Sequence, residues 1–151
     1  MTRGRLVFLA VSLLVFAADR ITKSLVVASI PANSEVGPYF GVLWIQHLQN
    51  PCAAFSLCGP SSIAFLLISL VVAVAILLYE FQQVGQGWIH VVLGLVLGGT
   101  AGNGYDRLLH GSVTDFLALH WWPTFNVADS AITLGVLALA AGYLLKRRPT
   151  E

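Results

Sequence analysis

Four long apolar runs leave this chain few choices of fold. Leu6 to Ala18 carries no charge, and after Asp19-Arg20-Ile21-Thr22-Lys23 the run resumes as far as Ile30. The others are Ser61 to Tyr79, Trp88 to Gly102 and Val127 to Leu145. Each is close to the roughly 20 residues a helix needs to cross the hydrocarbon core of a bilayer. Of the 151 residues, 57% are hydrophobic and only 10% charged, whereas a soluble domain carries about 25% charged residues. So few polar groups cannot cover a water-facing surface. The expected architecture is an all-α membrane protein, a single domain over 1–151 with spans at about 6–28, 61–79, 88–106 and 127–145. Eight Lys+Arg against seven Asp+Glu leave a net charge of +1, which gives no electrostatic footprint for nucleic acid. The apolar content also excludes a disordered chain.

The ends of the runs suggest an orientation. Arg3 and Arg5 precede the first run and Lys146-Arg147-Arg148 close the fourth, so the positive-inside rule puts both termini in the cytoplasm. That requires an even number of spans, in agreement with four. A second reading of the first run is a cleaved signal peptide, with a basic start and Val15-Phe16-Ala17 before a cut. Against it, the apolar character continues past Lys23. Trp88, Trp121 and Trp122 fall at expected interfaces, where indole rings are favoured. Two segments, about 31–59 and 107–126, then lie outside. The first contains Tyr39-Phe40-Gly41-Val42-Leu43-Trp44-Ile45, whose aromatic and β-branched content predicts short strands in a small external β-rich segment.

With charge so scarce, each acid or base in or near a span needs a reason, because ionisable groups at membrane depth are costly and usually functional. Asp19 and Lys23, at i and i+4, share one helix face; a local ion pair and a place in a site are equally good readings. Gly94, Gly98 and Gly102 repeat at the four-residue spacing that lets helix backbones approach closely. Asn103, Asp106 and Arg107 follow, an Asp-Arg pair suited to structure, with a guanidinium able to bind carboxylates or a substrate backbone. Asp115 sits between Val113-Thr114 and Phe116-Leu117, an odd place for a charge. Asp129 stands three residues after Asn126, where the two could cap the fourth helix. Alternatively, Asp115 and Asp129 meet at one membrane–water boundary, where one keeps its proton while the other acts as base. That chemistry needs neither metal nor cofactor.

Other chemistries fit less well. His110 and His120 flank Asp115 at spacings that match no common zinc pattern. His47 and His90 read as isolated surface or interfacial histidines. Cys52 and Cys58 are open to a disulfide on an oxidising face or to two free thiols, and a loop so short would add little stability. The serines lack a His-Asp context for nucleophilic catalysis.

Five ordered blocks carry a resemblance over essentially the whole chain. They are Asp19-Arg20-Ile21-Thr22-Lys23, Asn50-Pro51-Cys52-Ala53-Ala54-Phe55-Ser56, Gly98-Gly99-Thr100-Ala101-Gly102-Asn103-Gly104-Tyr105-Asp106-Arg107, Val113-Thr114-Asp115-Phe116 and Phe125-Asn126-Val127-Ala128-Asp129-Ser130. Together they resemble the lipoprotein signal peptidase (signal peptidase II) family. Cys52 stands where that family usually has Gly, and Gly104 and Tyr105 where it has aliphatic residues. The resemblance implies a bacterial inner-membrane endopeptidase that cuts prolipoproteins before their diacylglyceryl-modified cysteine. It implies Asp115 and Asp129 as catalytic pair, with Asn50, Asn103, Arg107 and Asn126 positioning substrate and acids. Asp19 and Lys23 would organise the site, and Asp106 would act more on structure than on chemistry. The expected partners are lipid-modified prolipoproteins and membrane lipids around a monomer, with the site near the external face. A small proton-coupled transporter is the competing class, although it would want an acid at mid-span rather than acids gathered near one side.

Overall fold

The computed structural model describes residues 2–51, 62–82 and 87–146. In chain order these form α1 (Arg3–Ser29), β1 (Glu35–Tyr39), β2 (Leu43–Asn50), α2 (Ser62–Gln82), α3 (Gly87–His110), β3 (Val113–Ala118) and α4 (Val127–Lys146). Cys52, Cys58 and the stretch Ala53-Ala54-Phe55 lie outside the described residues, as do Arg147 and Arg148.

Each apolar run is a helix. Helix α1 begins at Thr2, whose hydroxyl accepts the Arg5 N–H at 3.4 Å, and it passes through the polar patch without a break. Asp19 and Lys23 are both buried there. Helix α3 continues past the expected end near 106 to His110, so Arg107 lies in its last turn rather than in an external loop. It stops at Gly111, which takes a left-handed φ of 69° and bonds its N–H to the Arg107 carbonyl at 3.1 Å. Such a C-terminal glycine satisfies a carbonyl the helix would otherwise leave open.

Helix α3 is the centre of the bundle and packs against α1, α2 and α4. Its glycines make this possible. A Cβ on Gly98 would stand 2.6 Å from the Ser12 carbonyl oxygen, and one on Gly99 would stand 2.5 Å from that of Ala128. Backbone therefore meets backbone on two sides of α3, the close approach that holds helices together where no hydrophobic effect operates between them. Gly98→Ala must push α1 away and is expected to cost about 1–3 kcal/mol. Gly104→Ala, whose new Cβ would meet only Ser69 Cβ at 3.7 Å, should gain about 0.5–1 kcal/mol of helix propensity. Thermal unfolding in detergent should shift in opposite directions for the two variants.

The bundle exposes its apolar side chains. Leu14 is 69% exposed, Val71 68% and Leu137 61%, while the buried polar groups include Asp19, Lys23, Asn103 and Asp106. A soluble monomer rarely shows so much contiguous apolar surface. Taken singly, only 63–82 and 127–145 among the described helices are long and apolar enough to cross a membrane. Charges dilute α1, and glycines with His90 and Asn103 dilute α3; Asp19, Lys23, His90 and Asn103 are all buried inside the bundle.

The expected strand content appears as an antiparallel sheet in the order β1-β2-β3. The run Tyr39–Ile45 is divided between two of its strands. Phe40 and Gly41 take φ of 52° and 75° and turn the chain, so β1 ends at Tyr39 and β2 starts at Leu43. Strand β3 pairs with β2 so that Asp115 lies opposite Leu48 and Val113 opposite Asn50. Phe116 packs with Val26 and Ile30, which seats the sheet on the C-terminal end of α1. His47 is buried there and donates from Nδ1 to the Ile30 carbonyl at 2.8 Å, so it is an anchor rather than the expected surface histidine. His90 is likewise buried, with Nδ1 2.7 Å from Glu80 Oε1. Both departures from expectation have one cause: the partner lies on another element and leaves no local signal.

Candidate active site

Asp115 is on β3 and Asp129 in the first turn of α4. Asn126, fully buried, links them. Its Nδ2 donates to Asp115 Oδ1 at 2.7 Å, and its Oδ1 accepts the Asp129 N–H at 2.9 Å. The Asn126 N–H in turn bonds Asp129 Oδ2 at 3.2 Å, a reciprocal cap of the helix start. The capping reading of Asp129 is thus realised in full. It leaves Oδ1, which accepts from Asn103 Nδ2 at 2.7 Å. Asp115 Oδ2 accepts from Asn50 Nδ2 at 2.8 Å, because the β2–β3 register brings the end of β2 alongside.

Behind the two acids lies a buried network. Lys23 Nζ reaches Asn103 Oδ1 at 2.9 Å, Asp19 Oδ2 at 2.8 Å and Asp106 Oδ2 at 2.9 Å. With its oxygen taken by Lys23, Asn103 must point its amide toward Asp129. Asp19 Oδ1 accepts the Ala128 N–H at 3.0 Å, next to Asp129. A Cβ on Gly102 would stand 2.7 Å from Asp19 Oδ2, so that glycine makes room for the carboxylate. Asp106 also pairs with Arg20 and accepts the Thr114 N–H at 3.2 Å. It ties α1, α3 and β3 together and lies away from the cavity. The Asp19–Lys23 ion pair is formed, and it stands directly behind the two acids.

Asp115, Asp129, Asn50, Asn103 and Arg107 all line one cavity of about 790 Å³. Leu48, Trp122, Phe125, Ile132 and Leu134 give it apolar walls, and the Arg107 guanidinium lies over the Phe65 ring at 5.5 Å. The nine residues singled out in the sequence are all here, as lining or as support. Arg20 and the Thr114 N–H were not anticipated. Arg20 lies between Asp19 and Lys23 in the chain, but its partner Asp106 is 86 positions away.

Burial pushes the Asp115 carboxyl up to about 6; the bonds from Asn50 and Asn126 pull it down and the Asp129 charge raises it. An acid whose pKa is higher folded than unfolded holds its proton more tightly when folded. Its protonated form therefore favours the fold, and that contribution is lost as pH rises from about 4 to about 6. Relative to Asp115→Asn, the native protein should lose up to about 3 kcal/mol across that window, with no further change above it. Unfolding midpoints of the two proteins against pH check this.

Two carboxylates on one cavity, one of them protonated well above the usual range, can activate water and protonate a leaving group. Fold and site together define a class: a helical, membrane-type enzyme with its acids at one end of the bundle. Two solved bacterial membrane enzyme structures share the fold. One has a TM-score of 0.87 at 23% identity, covering 95% of this chain and 93% of its own. The other has a TM-score of 0.84 at 25% identity, covering 93% and 94%. Residues 11–145 match the family model described as signal peptidase (SPase) II. The lipoprotein signal peptidase of Syntrophomonas wolfei is 37% identical over 139 residues, 92% of this chain and 93% of that protein. That of Gloeobacter violaceus is 40% identical over 140 residues, 91% and 81%, and that of Pseudomonas aeruginosa PAO1 is 34% identical over 158 residues, 98% and 94%. The chain belongs to the signal peptidase II family.

Proposed function

We propose that this bacterial membrane protease, which removes signal peptides from prolipoproteins, is an aspartic endopeptidase with Asp115 and Asp129 as its catalytic pair. The observation that carries the reading is the pair of carboxylates, one from β3 and one from α4, bridged by Asn126 on a single half-apolar cavity. One acid, ionised, takes a proton from water as it attacks the scissile carbonyl; the other, protonated, delivers a proton to the departing amine. Asn50 and Asn126 hold Asp115, Asn103 and the Asn126 N–H hold Asp129, and Arg107 is free to orient the substrate backbone. The apolar walls suit a signal-peptide helix entering sideways from lipid.

All four helices span the inner membrane, both termini are cytoplasmic, and the acids stand near the external face, where a lipid-anchored cysteine would present its peptide bond. The enzyme acts as a monomer. The test is the purified protein with a signal-bearing peptide, with and without diacylglycerol on its cysteine. A single cut immediately before the lipidated cysteine, and at least tenfold slower cleavage of the bare peptide, are expected. Cleavage elsewhere, or equal rates on the two peptides, would overturn the substrate assignment.

A further inference from the structure

A second cavity, of about 560 Å³, opens on the other side of the network that supports the acids. Alternation along β3 puts Val113 and Asp115 on the first cavity and Thr114 on the second, while Gln49 of β2 borders both. The contrast in chemistry is sharp. The acid-bearing cavity holds two carboxylates, whereas among the described residues lining the second there is no acid. Instead Arg20, Lys23, His110, Ser24 and Ser112 face it. The acids that balance its cations lie behind the wall: Asp19 is fully buried and Asp106 is 1% exposed. Arg20 gives one terminal nitrogen to Asp106 and stacks over the Tyr105 ring at 4.5 Å, which leaves the rest of its planar donor edge available. His110 is exposed at the mouth.

The remaining lining is Gln49 with Val27 and Ala28, and the two apolar residues open to the outside of the bundle. Val27 is 50% exposed, and Ala28 beside it is also exposed. Below Arg20 on the same side of α1, Ala17 and Leu13 are exposed too. Donors above an aliphatic track match a phosphate diester above acyl chains, since guanidinium groups recognise phosphate oxygens in pairs. We propose that this cavity binds the headgroup phosphate of an anionic glycerophospholipid, with one chain along the exposed Ala17–Leu13 face of α1. The ligand is a bilayer lipid and is distinct from the prolipoprotein. The assignment rests on the membrane reading but not on the catalytic one, and binding is measured without turnover.

The full-length protein in detergent is titrated with phosphatidylglycerol, with diacylglycerol of the same chains, and with inorganic phosphate, and bound lipid is counted by native mass spectrometry. One phosphatidylglycerol should be retained at least tenfold more tightly than diacylglycerol, and millimolar phosphate should not displace it. Ala28→Trp, which fills the cavity from an exposed helix position, should weaken that first lipid at least tenfold while its unfolding temperature without lipid stays unchanged. If that variant does not fold, His110→Ala with Ser24→Ala provides the same comparison, with an expected loss of threefold or more. Equal retention of the two lipids, or variants that bind like the parent, would overturn the proposal. Displacement by phosphate would also overturn it, by showing an anion site indifferent to lipid.

Discussion

Asp115→Asn and Asp129→Asn should each lower cleavage of lipidated substrate by a factor of 10² or more per folded molecule. Asparagine keeps the shape of the side chain but neither takes a proton from water nor gives one to an amine. Asp129 makes the sharper test, because the bond from the Asn126 N–H shows that it also caps α4. If capping were its whole role, the Asn variant would lose about 1 kcal/mol of stability or less and turn over normally. The catalytic reading expects the reverse: a folded protein that does not cleave. Unfolding temperature and single-turnover cleavage on the same preparation separate the two. A folded Asp129→Asn protein working at near the parent rate would end the aspartic mechanism. Two acids that share a proton should also titrate as a pair, giving a bell-shaped rate profile whose two apparent pKa values belong to both.

Lys23→Met is expected to be the most damaging single change outside the acid pair. The ammonium is 1% exposed and holds Asp19 and Asp106, which are 0% and 1% exposed. Removing it leaves buried carboxylates with less compensation, and breaking a buried ion pair from one side costs about 3–5 kcal/mol. Adding Asp19→Asn should recover about 1 kcal/mol or more, because it removes one of the stranded charges. Unfolding in detergent, read for the single and double variants, tests both statements. A Lys23→Met protein as stable as the parent would mean that the network carries no such energy.

Much of this was legible in the chain. Runs such as Val127–Leu145 announce a helix and its solvent together, because lipid tolerates only elements that satisfy their own backbone. Observed helices begin and end within a few residues of those expected. The aromatic run around Phe40 reads as short strands and is so, but the turn at Phe40-Gly41 that divides it depends on backbone φ values that its apolar neighbours conceal. His90 and His47 were misread because Glu80 and the Ile30 carbonyl come to them from other elements.

By itself the sequence determined the class of protein, its helices and a short set of candidate polar residues. Where charge is so rare, every acid and amide kept among apolar neighbours is informative, and ordered blocks of them are specific. Only the tertiary structure decided which partner each one meets. Asn50 meets Asp115 across 65 positions, and Asp19 meets the Ala128 N–H across 109. Asp106, as close to the family blocks as the other acids, turns away to Arg20 and Lys23. Such choices follow from the β2–β3 register and from glycines that bring α1 and α4 against α3, and hydrogen bonds formed across packed elements leave no periodicity in the chain that makes them.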